Sequence, residues 1–214
     1  MALIMTPKTY FDQLHGLLTN VAATDDQGRS SDLAAAMDVI LQKIQAMNKA
    51  QGKIIFIGNG GSAGIASHQA VDYWKNGKIR ATAFNDASLL TCVGNDYGYA
   101  HVFEKPIEMF AQSQDILFAI SSSGQSENIL RGVGAAKKIG CQAVTFSGFA
   151  PENPLRALGD INFYVASQEY GPVEISHLTL SHYLLDYWMH TNSTEAKKAG
   201  HATCAGALSL KGKI

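Results

Sequence analysis

Short apolar segments alternate with longer amphipathic segments through most of the chain. Five of them read as buried strands, at residues 53–57, 80–84, 115–120, 141–146 and 161–165. Continuous apolar runs of this length are typical of parallel strands that are covered on both faces. The pattern therefore predicts an α/β three-layer sandwich with a mostly parallel sheet of about five strands flanked by helices.

The amphipathic segments predict the helices of that sandwich. Two leading helices, at residues 6–22 and from residue 32 to about residue 47, are separated by a polar turn at residues 24–31. Further helices are expected at residues 61–76, 86–93, 100–112 and up to residue 139, with a break at residues 94–98. A short helix is expected within residues 147–159, and a last long helix from Pro172 to about residue 190.

These elements form one domain over residues 1–193, with leading helices at 6–50, a nucleus at 53–190 and a small polar tail at 194–214. The leading helices carry an apolar stripe that must be buried either on the sheet or on another subunit. We expect them to be used in oligomerisation, and the tail to be held loosely.

Composition narrows the class of protein. The chain has 214 residues, 46% of them apolar, and a net charge of −1, so it carries no nucleic-acid footprint. Three widely spaced cysteines, Cys92, Cys141 and Cys204, favour a reducing compartment over a disulfide framework. The opening residues are too short for a signal-peptide core, and no apolar run approaches membrane-spanning length. We therefore expect a cytoplasmic protein with no membrane or nucleic-acid partner.

The first candidate site follows the first strand, in the loop from Gly58 through Asn59 and Gly60 to Ser62. Glycines let the backbone approach a ligand, and the free N–H groups and dipole of the following helix favour an anion. The loop lacks the Gly-Lys-Ser/Thr of a P-loop. It fits G-x-G-x-x-A, but Asp86 stands late for the acidic residue of a dinucleotide site, so an oxidoreductase is a weak competitor.

The second candidate loop follows the third strand and precedes a helix. It places four hydroxyls, those of Ser121, Ser122, Ser123 and Ser126, around Gly124. Serines occur in turns and helix caps for local reasons, but four beside one glycine, at the same sheet edge as Ser62, favour a phosphate site. Ligands of such sheets bind at the carboxyl ends of the strands.

Polar residues on two helices are the candidates for chemistry. His68 and Asp72 are four residues apart, so they share a helix face. Glu174 and His182 are eight apart, about 80° round a regular helix, and can point to one side. Two histidines and two carboxylates can hold a transition metal or act as an acid–base pair. We assign no function to His15, His101, His190 and His201.

The ordered motifs resemble the sugar isomerase (SIS) family. They are GNGGS at residues 58–62, His68, GNDYG at residues 94–98, ISSSGQS at residues 120–126, and residues 174–182. Over residues 33–190 the chain is most similar to the phosphoheptose isomerases, which interconvert sedoheptulose 7-phosphate and D-glycero-D-manno-heptose 7-phosphate. The ordered set is specific, whereas each motif alone is not.

The resemblance implies roles for individual residues. Ser62, Ser121, Ser123 and Ser126 stand at the family's phosphate-binding serines, and Asn59 and Asp96 match positions that line the sugar site. Gly60, Ser122 and Glu174 are further expected substrate-binding residues. By the same resemblance, His68 is a metal-binding histidine, and His182 is a catalytic histidine that can also ligate zinc. The family is typically a cytoplasmic homotetramer, which implies a homotetramer here.

Four positions depart from the family pattern. Asp72 stands where the family has a catalytic Glu, Glu174 where it has Gln, and Gly171 where an Asp is expected. An expected Arg has no clear match, although Lys75 or Lys78 could substitute. The shorter Asp72 retracts a base by about a bond length, and a misplacement of about 1 Å can cost 100-fold in rate.

The sequence therefore predicts a phosphosugar aldose–ketose isomerase that works through an enediol. Asp72 and His182 are the expected acid–base pair, or a Zn²⁺ on His68, Asp72, Glu174 and His182 polarises the substrate oxygens. No organic cofactor is expected. The alternative is a non-catalytic SIS module that binds phosphosugars and serves regulation or assembly, as replication-initiator-binding relatives do.

Overall fold

The computed structural model describes the backbone of residues 6–209 and the side chains of residues 6–192. Its sheet has seven strands in the order β2-β1-β7-β6-β5-β3-β4. The strands are β1 Ala22–Asp25, β2 Ser30–Ser31, β3 Ile54–Gly58, β4 Ala81–Ala83, β5 Ile116–Ser121, β6 Gln142–Ser147 and β7 Ile161–Tyr164. Strands β3 to β7 pair in parallel and confirm the five strands predicted from the apolar segments.

The polar turn predicted at residues 24–31 is wrong. Strand β1 pairs antiparallel with β7 and with β2, so a hairpin extends one edge of the sheet. The pairing depends on distant residues, since the buried Asn162 amide donates to the backbone oxygen of Asp25 at 3.2 Å. The hairpin sequence is polar because β2 is exposed to solvent. No local sequence pattern therefore identifies β1 or β2 as a strand.

Residues 6–209 form seven helices. They are α1 Pro7–Thr19, α2 Leu33–Lys49, α3 Gly61–Lys75, α4 Ala87–Tyr97, α5 Glu104–Phe110, α6 Glu127–Ile139 and α7 Tyr170–Ser209, with 3-10 turns at Tyr99–His101 and Pro154–Ala157. The short helix expected within residues 147–159 is the second of these turns. Helix α7 begins two residues before Pro172 and continues past residue 190. The side chains of the predicted tail lie outside the described residues.

The predicted helix break at residues 94–98 is also wrong. Helix α4 passes through Gly94 and ends only at Gly98, whose φ of 87° few other residues adopt. A glycine inside a helix costs about 1 kcal/mol against alanine and does not by itself end one. The helix predicted at residues 100–112 is shorter, because a 3-10 turn precedes α5.

The core lies in two layers, one on each face of the sheet. Helices α2, α3 and α7 pack on one face, and α5 and α6 on the other. Helix α2 buries Ile40 and Ile44 completely. Its apolar stripe therefore packs into the core on this face of the sheet. Helix α1 has no fully buried residue, and Phe11 is exposed.

No helix in the described residues is long and apolar enough to cross a membrane. Cys92 is exposed and Cys141 is buried, and both are free thiols. Cys204 lies outside the described side chains. The cytoplasmic location stays a prediction.

Acid should destabilise the fold through the buried His177 on α7. Its Nε2 contacts the Ser147 carbonyl oxygen at 3.1 Å, and burial lowers the pKa of His177 from 6.5 to about 4. The unfolded chain therefore takes up the proton first, so this contribution is complete above pH 6.5 and is lost as the pH falls toward 4. We expect a loss of about 3 kcal/mol in the free energy of unfolding.

Denaturant unfolding at several pH values measures this loss. His177→Gln, which keeps a side-chain donor, should flatten the stability curve over that pH range. An equally steep curve in the variant would contradict the assignment to His177.

Candidate active site

The candidate site lies at the carboxyl edge of the parallel strands. Strands β3 and β5 are neighbours whose ends align, with Gly58 opposite Ile120. Helix α3 begins after β3, α6 begins after β5, and α7 begins beside both. The two loops singled out in the sequence are therefore adjacent, as the parallel topology requires.

The first loop makes a sharp turn into α3 that depends on glycine. Gly60 has φ 53° and ψ −122°, and no side chain caps the helix that follows it. A Cβ on Gly58 would lie 2.5 Å from the Ser62 backbone oxygen. The uncapped first turn leaves backbone N–H groups that can bind an anion, and Ser62 is buried beside them.

The second loop curls its serines around Gly124. The Gly124 N–H donates to Ser121 Oγ at 3.2 Å, and the Ser121 and Ser126 hydroxyls are 3.4 Å apart. Helix α6 also begins without a side-chain cap, at Ser126. Ser122 Oγ is buried and has no hydrogen-bond partner among the described residues. Two helix N-termini and several hydroxyls thus converge with unused hydrogen-bonding capacity.

A cleft of about 230 Å³ lies between the loops. It is lined by Asn59, Gly60, Gly61, Ser62, Ser121, Ser122, Ser123, Ser126, Tyr170 and Glu174. The structure therefore brings together all five serines predicted for the phosphate and sugar. Glu174 is the charged side chain among these lining residues, and its carboxylate packs against Gly61, where even a Cβ would overlap it.

Asn59 is held rigidly at the cleft. Its amide exchanges two hydrogen bonds of 2.9 Å with the buried amide of Asn128, and it accepts a third from the Tyr99 hydroxyl at 3.2 Å. Asn128, Tyr99 and Tyr170 were not among the residues predicted from the sequence. Only Asn128 carried a usable signal, since it is a polar residue in the first turn of the helix after the serine loop.

A second cluster lies further along α3 and α7. His68 Nε2 is 3.3 Å and His182 Nδ1 is 4.0 Å from Asp72 Oδ2. One ligand atom from each residue lies within 4.8 Å of the other two. Asp72 is the least exposed member, with 18% of its side chain accessible against 56% for His68 and 35% for His182. The cluster combines a carboxylate with two imidazoles in an accessible position.

Glu174 lies at the substrate cleft but apart from the other predicted zinc ligands, and Asp96 lies apart from the cleft. Glu174 lines the serine cleft and is not part of the described group of ligand atoms around Asp72. Asp96 is exposed on α4, where its carboxylate accepts from Asn95 Nδ2 at 2.8 Å and contacts Cys92 Sγ at 3.6 Å. Asp96 is not among the residues that line the cleft.

The cleft and the cluster are joined by two helices that run in the same direction. Near the cleft, Glu174 of α7 contacts Gly61 of α3. At the far end, Trp188 Nε1 donates to the Gly77 oxygen at 2.9 Å. The serine cleft and the Asp72 cluster therefore lie along the same pair of packed helices, with the cleft at their N-terminal ends.

Asp86, the acidic residue considered for a dinucleotide site, has a local structural role. Asp86 caps α4, where Oδ1 accepts from the backbone N–H groups of Ser88 at 2.9 Å and Leu89 at 3.1 Å. This helix-capping role accounts for the Asp86 carboxylate without a ribose hydroxyl. The G-x-G-x-x-A fit thus reflects the glycines of the anion loop.

This architecture, a serine cleft at the edge of a parallel sheet beside a His/Asp cluster, defines a protein of the sugar isomerase class. Residues 9–148 match the SIS domain family. A phosphoheptose isomerase of Helicobacter hepaticus is 34% identical over 157 residues, which are 71% of this chain and 78% of that protein. One of Nitratiruptor is 38% identical over 142 residues, or 64% and 75%.

Solved phosphoheptose isomerase structures share the fold of this chain. Phosphoheptose isomerase GmhA from Neisseria gonorrhoeae superposes with a TM-score of 0.73 and 26% identity, covering 85% of this chain and 96% of that one. A phosphoheptose isomerase from Francisella tularensis gives 0.74 and 25%, covering 87% and 100%. The chain belongs to the SIS domain family. Its similarity to the phosphoheptose isomerase type and its assignment as an isomerase enzyme are confirmed.

Proposed function

We propose that this phosphosugar isomerase interconverts sedoheptulose 7-phosphate and D-glycero-D-manno-heptose 7-phosphate. The observation that carries the proposal is the placement of the serine cleft and the Asp72 cluster along the same two helices, α3 and α7. The cleft supplies hydroxyls and two uncapped helix N-termini for the phosphate. The cluster supplies a carboxylate and imidazoles for proton transfer.

The spacing of the two sites favours a long sugar. Along α3, His68 is six and Asp72 ten residues beyond Ser62, which at 1.5 Å per residue gives axial separations of about 9 and about 15 Å. The side chains lean back toward the N-terminus, which shortens that gap. Seven carbons joined by bonds of about 1.5 Å extend over about 8 Å, and the phosphate adds to this. A three-carbon sugar phosphate is too short to reach both sites.

In the proposed reaction, Asp72 removes the proton from C2 of the aldose while His182 donates a proton to the carbonyl oxygen at C1. The electron pair of the C2–H bond becomes the C1–C2 double bond of the enediol. Return of a proton to C1 and loss of the hydroxyl proton at C2 complete the ketose. General acid–base groups contribute about 10² to 10⁴ in rate. The enzyme binds no second substrate, because the hydrogen moves within one sugar.

The cluster also has the donor set of a zinc site. Tetrahedral ligands about 2.1 Å from zinc lie about 3.4 Å apart, and the Asp72 oxygen is 3.3 Å and 4.0 Å from the two histidine nitrogens. His68, Asp72 and His182 would hold the ion with a position open to substrate. A bound Zn²⁺ supplies Lewis-acid polarisation of substrate oxygens. Tight metal ligation by Asp72 and its role as a free base exclude each other.

If Asp72 acts as a metal ligand and not as the free base, protein purified without chelator should contain about one Zn²⁺ per chain. His68→Ala should reduce the zinc content strongly, because it removes one of three ligands, whereas the matched change His15→Ala on α1 should not. Elemental analysis and calorimetric titration measure both. Protein that neither contains nor binds a divalent ion would leave the acid–base role alone.

We also propose that the chain assembles as a homotetramer whose subunits meet beside this cluster. The same two helices also carry exposed apolar side chains, Val71 and Trp74 on α3 and Ile175 and Tyr183 on α7. Such a patch on a soluble enzyme marks an interaction surface, and the amphipathic α1 adds another. A neighbouring chain there would shield the exposed His68 from water.

Light scattering should give about 92 kDa, the mass of four chains of 22.9 kDa. Trp74→Glu should break the assembly and lower turnover, because it places a charge on a surface that the tetramer would bury. Phe11→Glu on α1 tests the second surface. A fully active monomer of the wild-type chain would contradict both the assembly and the shared site.

Turnover of defined sugar phosphates tests the function. We expect NMR to detect interconversion of the two heptose 7-phosphates and no turnover of three-carbon sugar phosphates. Binding of phosphosugars without turnover of any of them would instead support a regulatory SIS module.

A further inference from the structure

Buried hydrogen bonds join α3 to α7 directly beneath the Asp72 cluster. The Tyr73 hydroxyl donates to the Ser181 backbone oxygen at 3.0 Å. The Ser181 hydroxyl donates to Gln69 Oε1 at 2.8 Å. All three side chains are fully buried, and burial raises the pKa of Tyr73, so its hydroxyl remains a donor. We call this group the Gln69–Tyr73–Ser181 clamp.

Each clamp residue is the sequence neighbour of a residue of the cluster. Gln69 follows His68, Tyr73 follows Asp72, and Ser181 precedes His182. Neighbours on a helix point about 100° apart, so the clamp faces the protein interior while the cluster is partly exposed to solvent. A rotation or slide of either helix would break the clamp and change the distance between Asp72 and His182.

The clamp is a poor device for stability alone. Gln69 Nε2 is buried without a hydrogen-bond partner in the described part of the chain. An unsatisfied buried donor is destabilising, whereas an apolar pair of similar shape can replace a buried hydrogen bond with little loss. The polar contact therefore costs stability, but its directional hydrogen bonds define one relative position of α3 and α7. Packing between aliphatic side chains would not fix that position.

We propose that Gln69, Tyr73 and Ser181 are positioning residues that set the geometry of Asp72 and His182 for proton transfer. They act through the two helices and do not touch the substrate. The inference rests on the proposed acid–base reaction at Asp72 and His182. It predicts that activity and stability respond to the clamp in opposite directions.

The test is the double variant Gln69→Leu/Ser181→Ala, which replaces the polar contact by an apolar one. We expect an unchanged or higher melting temperature, a fall in kcat of at least tenfold, and a KM within twofold of wild type. Misplacement of catalytic groups by about 1 Å is sufficient for such a loss. The KM is preserved because the serine cleft is not altered.

Trp188→Phe is the matched control. It removes the Trp188–Gly77 hydrogen bond, which joins the same helices away from the cluster. It should lower the melting temperature while the folded variant keeps kcat within twofold. Tyr73→Phe, which removes only a hydroxyl of the clamp, should lower kcat without raising KM.

Two results would overturn the positioning role. One is a double variant with wild-type kcat; the other is a loss of kcat that follows melting temperature equally in the double variant and in Trp188→Phe. A wild-type enzyme that turns over no phosphosugar would overturn the proposed function, and this role with it, before any variant is compared.

Discussion

Replacing Asp72 with Asn should lower kcat by about 10³ and leave phosphosugar binding nearly intact. The amide keeps the shape of the side chain but cannot accept the substrate proton, and general-base catalysis is worth about 10² to 10⁴. Asp72 is also the member of the cluster that contacts both histidines. Steady-state kinetics and calorimetry with a heptose 7-phosphate separate the two effects.

Asp12→Asn is the control for this variant. Asp12 accepts from Lys8 at 2.6 Å on the exposed α1, so its change removes a surface carboxylate without touching the site. Asp72→Glu should retain measurable turnover, because it keeps the carboxylate and adds one methylene. An Asp72→Asn enzyme with kcat within threefold of wild type would remove Asp72 from the mechanism.

Replacing Ser123 with Ala should raise KM by about 10- to 100-fold, because a hydrogen bond to a charged group is worth about 1.5–3 kcal/mol. Ser123 Oγ accepts from the Gln125 N–H at 3.3 Å, which leaves its own hydrogen free to donate to a phosphate. The melting temperature should change little, since the hydroxyl holds only this weak local contact.

Ser113→Ala, at an exposed serine before β5, is the matched control and should leave KM unchanged. Binding of inorganic phosphate measured by calorimetry checks the same assignment without the sugar. A Ser123→Ala variant with wild-type affinity for both ligands would contradict the phosphate cradle.

Local patterns predicted the parts of the fold that depend on local physics. The strand at residues 54–58 is apolar throughout because both faces are covered, and Asp32 caps α2 where the sequence places the helix start. Strand β1 could not be predicted in this way. It depends on β7, which is about 140 residues away, and on the buried amide of Asn162.

The candidate site also has parts that the sequence predicted and parts that it did not. The serine cleft was predictable because parallel strands place both loops at one edge, and the i, i+4 spacing predicted that His68 would contact Asp72. The sequence left open whether Glu174 lies at the substrate cleft or with the zinc ligands, since sharing a helix side with His182 does not fix which end of α3 it meets. The clamp residues carried no signal, because Gln69 and Ser181 resemble ordinary helix polars until α3 and α7 are packed together.

Solvent deuterium incorporation tests the central claim most directly. Sedoheptulose 7-phosphate is incubated with the enzyme in D₂O, and the recovered sugars are examined by NMR. The account predicts deuterium at C1 or C2 during turnover, because the proton held by the base of the enediol route exchanges with solvent. Turnover with complete retention of the original hydrogen, as direct hydride transfer requires, would contradict the proposed exchange through an enediol.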